Sequence, residues 1–271
     1  MPELPEVESV LRALTDLDPS FPGRRVREVR ILRPSAVDGP VEQFVKELTG
    51  AVFHEILRHG KYLFFRFTAH CATSSRWMVL HLRMTGRLFL VQANHAVQRH
   101  TRFYLLLEDE LALRFDDPRA FGRVWLVDSP KEVTGRLGPD ALAIGHDGFL
   151  RQLAQQNRQL KLLLLDQSFV AGIGNIYADE LLFRAGLHPL RVSGSLNHNE
   201  RERLFSSMHE VLTQAVQAKG ANIDGVFEAG SFPVAVYKRN GQPCRNCSSM
   251  IHKERIAGRG THYCPACQPA V

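Results

Sequence analysis

Between residues 5 and 17 apolar side chains return every three or four positions. Val7, Val10, Leu11 and Leu14 line one face behind Pro5, a residue that suits the first turn of a helix. From Arg24 to Val127 the period shortens to that of strands. Val26–Leu32, Tyr62–Phe67, Trp77–Leu82, Leu88–Val91, Phe103–Leu107 and Leu111–Phe115 read as short β-runs, punctuated by Gly, Asp and Pro as in a sandwich or barrel. A second helix is predicted near Val41–Leu48. Past Ser129 the helical spacing returns, over Phe149–Gln156, Ile176–Ala185 and Asn199–Ala218.

These shifts predict an α+β chain in four parts: a β-rich N-terminal domain over 1–130, a Gly- and Pro-bearing linker over 131–147, a helical domain over 148–236 and a small tail over 237–271. Residues 220–236, rich in glycine, read as a loop before the tail. The composition, 44% apolar in 271 residues with both signs of charge, is that of a globular protein. A net charge of +6 favours a polyanionic partner, nucleic acid or an anionic membrane surface. The longest apolar run, Leu160–Leu165, holds Lys161 and stops at Asp166, far short of the ~20 residues of a membrane span. The acidic, proline-bearing start is not a secretory signal, so a cytoplasmic or nucleoid location is expected. Five cysteines, four of them paired and Cys71 alone, suit a reducing compartment.

The tail carries the strongest spacing signal. Cys244-x2-Cys247, sixteen residues, then Cys264-x2-Cys267 sets two knuckles that can place four thiolates around one structural zinc ion. Four thiolates leave no open coordination position for catalysis. A pair of disulfides or a redox pair is the competing reading. Lys238, Arg239, Arg245, Lys253, Arg255 and Arg259 surround the module with a single acid, Glu254, as a phosphate-gripping hairpin requires.

Several segments together resemble the formamidopyrimidine-DNA glycosylase family, and the resemblance runs along almost the whole chain. They are Met1-Pro2-Glu3-Leu4-Pro5-Glu6-Val7-Glu8, His59-Gly60-Lys61-Tyr62-Leu63, His81-Leu82-Arg83-Met84-Thr85-Gly86, Asp117-Pro118-Arg119-Ala120-Phe121-Gly122, Leu165-Asp166-Gln167, Gly172-Ile173-Gly174-Asn175-Ile176-Tyr177-Ala178, His188-Pro189 and Arg259-Gly260-Thr261-His262-Tyr263-Cys264. The resemblance implies a β-sandwich flanked by helices, a helical domain with a helix–two-turn–helix, a C-terminal zinc β-hairpin, and damaged double-stranded DNA bound in the cleft between domains. It further implies a monomer that excises oxidised purines and nicks the strand.

Site residues follow from the same resemblance. Pro2, N-terminal once Met1 is removed, would be the nucleophile. An α-amine titrates near ~8, so a useful fraction is unprotonated at neutral pH, and attack on the sugar C1′ leaves an iminium. Glu3 would protonate the sugar ring oxygen. Lys61 would contact phosphate and assist elimination, and Arg259 would hold the phosphate beside the lesion. Asn175, in a Gly-flanked turn where backbone can approach a phosphate closely, and His100 would be further phosphate contacts. Met84, Arg119 and Phe121 would fill the stack emptied by a flipped nucleotide. Several have a plainer reading: Pro2 and Glu3 as helix-start residues, Lys61 and His100 as solvated side chains, Met84 and Phe121 as core.

Some positions depart from the family's pattern. Arg83 and Ala120 stand where a glycine and a basic residue are frequent, and Asn157 stands near a usual basic phosphate contact, with Arg158 and Lys161 close by. The 220–236 loop is short, with Asn222, Ile223 and Asp224 near its start. Two rival functions remain at this point: an endonuclease VIII-type glycosylase for oxidised pyrimidines, and a non-catalytic zinc protein that binds damaged DNA.

Overall fold

A computed structural model describes residues 2–16, 20–70, 74–223, 225 and 229–270. Cys71, Asp224 and Met1, all weighed above, lie outside the described residues. Cα packing separates two compact units, one made mostly of Glu6–Arg136, the other of Glu3–Pro5, Leu137–Asn222 and Ala229–Val271.

The first unit takes in α1 (Leu4–Thr15) from Glu6 onward, followed by β1 (Val26–Ile31), α2 (Val41–Leu48), β2 (Val52–His59), β3 (Tyr62–Thr68), β4 (Ser75–His81), β5 (Arg87–Gln92), β6 (Thr101–Leu107), β7 (Leu111–Asp116) and β8 (Arg123–Val127). The strands form two antiparallel four-stranded sheets, ordered β1-β6-β7-β5 and β2-β3-β4-β8. β6 shows why: Thr101, Phe103, Leu105 and Leu107 are buried and the residues between them are not, the period-two pattern of a half-buried strand. The main core joins Val7, Val10 and Leu14 of α1 and Phe44 and Leu48 of α2 to a cluster of phenylalanines, Phe21, Phe53, Phe65, Phe67, Phe103 and Phe115. Each such ring contributes ~1.5–3 kcal/mol on burial.

β2 and β8 lie inside the β-type stretch from Arg24 to Val127, though outside the runs that exemplify it. In β2, His54, Glu55, Arg58 and His59 stand among the apolar residues and weaken the alternation, whereas β8 is a short run of five residues, Arg123–Val127, without alternation. β3 is buried on both faces, since Phe64 packs outward on Val79 and Val127 beneath Trp77, Trp125 and Val133. A strand covered on both sides reads as a continuous apolar run.

In the second unit are α4 (His146–Ala154), α5 (Leu160–Leu165), α6 (Asn175–Ala185), α7 (His198–Gln217), β9 (His252–Ile256) and β10 (Arg259–Tyr263); the short α3 (Lys131–Thr134) precedes them. Thus the segment that composition marks as a linker holds α3 and the first two residues of α4, His146 and Asp147, and the apolar run at Leu160 is a helix. α7 begins with a capping box between Asn197 and Glu200, one residue earlier than its apolar period indicates. α6 ends on Gly186, whose φ of 66° supplies the left-handed cap. It is buried around nearly its whole circumference, Asp179 and Glu180 included. Among the described residues no helix is long and apolar enough to cross a membrane.

Candidate active site and nucleic-acid interface

In the first unit two turns form one rigid projection. Met84 and Thr85 lie in the turn after β4, and Arg119 and Phe121 in the turn after β7. Asp117, fully buried, ties the turns together. One carboxylate oxygen accepts the Thr85 hydroxyl and the Arg119 amide, and the other accepts the Gly122 amide at 2.7 Å. The Arg119 amide also reaches Thr85 Oγ1 at 3.2 Å. Gly86 and Gly122 sit against the far end of the Phe115 ring, where a Cβ on either would collide with it.

This framework holds Met84 (38% exposed) and Phe121 (47% exposed) out to solvent, and Arg119 lies with its guanidinium 4.9 Å from the Phe121 ring centroid. The core-packing reading of Met84 and Phe121 is therefore excluded. Asp117 and Thr85 are the residues that sequence reasoning left without a role. The signal was there, an acid two residues before Arg119 in a turn, where carboxylates accept backbone amides.

Lys61 follows Gly60, whose φ of 56° allows the two-residue turn between β2 and β3. Arg58 steadies this turn by donating to the Gly60 carbonyl at 2.9 Å and to Glu8 of α1 at 2.7 Å. Only 8% of Lys61 is exposed, so it is no solvated lysine. Burial, together with the Arg83 and Lys61 charges, pushes the His81 imidazole down to about 3. His81 is therefore neutral, and its Nδ1 accepts the Arg83 amide at 2.9 Å. His100 is exposed, and its carbonyl accepts the Asp117 amide at 2.9 Å. Pro2 is buried just ahead of α1.

The second unit assembles the others around the N-terminus of α6. Glu3 is 1% exposed, and its carboxylate accepts three backbone amides: Gly174 at 2.8 Å, Ile176 at 2.9 Å and Tyr177 at 3.3 Å. Amides at a helix start are an anion seat. The glycines of the Gly172-Ile173-Gly174 turn serve this seat. A Cβ on Gly174 would collide with the Glu3 carboxylate, and Gly172 (φ 114°) receives the Leu4 side chain while its carbonyl accepts the Leu4 amide at 3.1 Å. Thus the close approach that these glycines permit is to the chain's own N-terminal segment. Gln167 braces the turn from below, donating to the Leu165 and Ile173 carbonyls and accepting from Gly172.

Asn175, first residue of α6, donates Nδ2 to the Gly260 carbonyl at 2.8 Å, and so docks the hairpin strand that starts with Arg259. Arg259 is exposed and follows a turn in which Ala257 and Gly258 both have positive φ. A second tie runs below it. Asp179 accepts Lys161 Nζ at 2.5 Å on one oxygen, and the backbone amide and Nδ1 of His262 at 2.9 and 3.1 Å on the other. Lys161 also donates to the Asn175 carbonyl at 3.1 Å. Burial lowers the Lys161 pKa and the Asp179 charge opposes that shift. Next to it, Glu180 accepts the amides of Ala235, Val236 and Tyr237 at 2.7, 3.0 and 2.8 Å. Burial raises its pKa against the pull of those amides.

Lys161 is thereby removed from the basic surface, being fully buried, and Arg158 is paired with Asp166 at 2.6 Å. Neither offers an unengaged charge in place of Asn157. Arg239 likewise spends its guanidinium on the Ala235 and Pro243 carbonyls, whereas Arg245, Lys253, Arg255 and Arg259 are exposed.

The four cysteine sulfurs of 244, 247, 264 and 267 lie within 4.8 Å of one another. The separations of 3.4, 3.5 and 3.9 Å are far beyond the ~2.05 Å of a disulfide. They approach the edge of a tetrahedron with Zn–S bonds of ~2.3 Å. The donor set fits one structural zinc ion and leaves no vacant coordination position.

Comparison with known proteins agrees along the full length. Residues 1–124 match the formamidopyrimidine-DNA glycosylase N-terminal domain, 137–225 the H2TH domain of the same proteins, and 241–270 a zinc finger found in FPG and IleRS. The formamidopyrimidine-DNA glycosylase of Gloeobacter violaceus is 40% identical over 287 residues, covering 100% of this chain and 98% of that one. The protein of the same name from Parasynechococcus marenigrum is 41% identical over 282 residues, covering 99% of this chain and 100% of its own. Among solved structures, MutM in complex with DNA containing carbocyclic 8-oxo-G superposes with a TM-score of 0.89 at 31% identity, covering 99% of this chain and 100% of that chain. Lactococcus lactis Fpg bound to DNA containing N7-benzyl-Fapy-dG gives the same TM-score, 0.89, identity and coverage. With the zinc ligands, the Glu3 seat and the projecting Met84, Arg119 and Phe121 in place, the conclusion is direct: the chain belongs to the formamidopyrimidine-DNA glycosylase family.

Proposed function

We infer that this protein is a base-excision-repair DNA glycosylase and strand-nicking lyase, which removes oxidised purines such as 8-oxoguanine and formamidopyrimidines from duplex DNA. The carrying observation is the projection of Met84, Arg119 and Phe121. A buried carboxylate and two ring-packed glycines hold bulky side chains in solvent, an arrangement of use to a protein that must fill an opened base stack. Family membership supports the identity of the excised base.

In this reading Met1 is removed and the Pro2 amine attacks C1′ of the extruded nucleotide. The N-glycosidic bond breaks and the base departs with the bonding pair; the Glu3 carboxylate takes up the proton released by the alkylated amine and delivers it to the ring oxygen as the sugar opens to an iminium. Loss of a C2′ proton then expels the 3′ phosphate, and a second elimination expels the 5′ phosphate. Lys61 and Arg259 hold phosphates during these steps, with Asn175 and His100 as further contacts. Cys244, Cys247, Cys264 and Cys267 would hold a zinc ion that cross-links the hairpin carrying Arg259 and takes no part in bond making. The protein acts as a monomer in the cytoplasm, at the nucleoid.

Borohydride trapping on duplexes containing 8-oxoguanine opposite cytosine or thymine glycol tests this reading. A covalent adduct is expected with the purine lesion. Pro2→Gly should lose most trapping, and Glu3→Gln should slow base excision by roughly 100-fold or more. Cleavage of the pyrimidine lesion alone would transfer the protein to the endonuclease VIII type. Tight lesion binding with no adduct would make it a non-catalytic binder.

A further inference from the structure

The turn that carries Met84 also holds Arg83 in the left-handed region, with φ 56°, where an L side chain is strained and glycine is not. Its amide is pinned to His81 Nδ1 at 2.9 Å. Its guanidinium is exposed and makes no hydrogen bond or ion pair among the described residues. An arginine that costs backbone strain and gains nothing from its own chain points to a partner outside the chain.

The surroundings specify that partner. Both charges acting on His81 are cations, Arg83 and Lys61, so the edge next to Met84 is a positive locus. Arg119, the other cation of the projection, already has its guanidinium over the Phe121 ring. A guanidinium suits a phosphate through two parallel N–H···O contacts.

We propose that Arg83 is a further DNA-binding residue, whose guanidinium grips a backbone phosphate beside the base step that Met84 enters. The proposal rests on the DNA-glycosylase reading above. Because the Arg83 amide is fixed to His81 and the adjoining Thr85 hydroxyl to Asp117, the cation and the stack-filling side chain are presented together.

The test is equilibrium binding of wild type, Arg83→Gly and Arg83→Lys to a duplex with a tetrahydrofuran abasic analogue, across a series of salt concentrations, with thermal melting of each protein. Arg83→Gly should melt at or above the wild-type temperature, because glycine relieves the strain. It should nevertheless bind several-fold more weakly, and its log–log salt slope should be smaller by about 0.9. Arg83→Lys should keep the wild-type slope. Equal affinity and equal slope in Arg83→Gly would overturn the proposal. So would a loss of affinity with an unchanged slope, which marks a base or structural contact. Wild-type protein that prefers the lesion duplex no more than intact DNA would instead sink the glycosylase reading itself.

Discussion

His81 is buried at the end of β4 with Lys61 and Arg83 as its charged neighbours. Tyr62 lies edge-on 4.5 Å away, and Arg123 is its partner across the ladder. Its work is positional: a neutral Nδ1 accepts the Arg83 amide and fixes the turn that bears Met84. The folded-state value of about 3 lies below the unfolded 6.5, so the unfolded chain binds the extra proton between those limits. The stability from the neutral ring is therefore fully present above pH ~6.5 and is lost as pH falls toward ~3. At pH 4.5 the loss is on the order of 2–3 kcal/mol. His81→Asn, which keeps an acceptor near Nδ1 without titrating, should show a smaller drop in urea midpoint between pH 7.5 and 4.5 than wild type. Equal drops would show that His81 is not the acid-sensitive group.

α6 is an element whose charged residues are internal. Asp179 and Lys161 are both 0% exposed, and removing one partner of such a pair leaves the other charge uncompensated. Asp179→Ala should cost about 3–5 kcal/mol, and the double replacement Lys161→Met with Asp179→Leu should recover much of it. Thermal melting distinguishes the outcomes. In Asp179→Ala the folded-state Lys161 pKa falls further, the unfolded chain binds the additional proton, and the variant should regain stability as pH rises from 7 to 9.

The hairpin β9–β10 depends on a different support. Among the described residues its apolar cluster is Val236, Cys244, Ile251 and Cys264 with Phe183 from α6, and Ala235 and Cys267 half-buried against them, too little to hold a fold without a metal cross-link. Chelation of zinc, or Cys247→Ser, should abolish lesion binding measured by anisotropy while most far-UV signal persists. Binding unchanged after metal removal would contradict the hairpin's role.

For the whole molecule, the expected site residues fall into two groups with separate frameworks. Pro2, Lys61, Met84, His100, Arg119 and Phe121 belong to the sandwich unit, while Glu3, Asn175, Arg259 and the zinc cysteines belong to the helical unit. The strand and helix periods, the Cys-x2-Cys pairs and the family-like segments were legible along the chain, because each depends on neighbours a few residues apart. They determined an α+β protein with a four-thiolate site and a glycosylase-like N-terminus. Other features have no local signature. Lys161 and Arg239 look like surface cations in a basic region, yet one is buried on Asp179 and the other is bound to its own backbone. Met84 and Phe121 look like core residues, yet they project into solvent because Asp117 binds three groups from two turns. The glycines before Asn175 suggest room for a phosphate, yet they make room for Glu3 and Leu4, about 170 positions away. Burial and hydrogen-bond pairing depend on what distant segments bring to a position, so only the tertiary structure decided which charges are exposed and which apolar side chains are not.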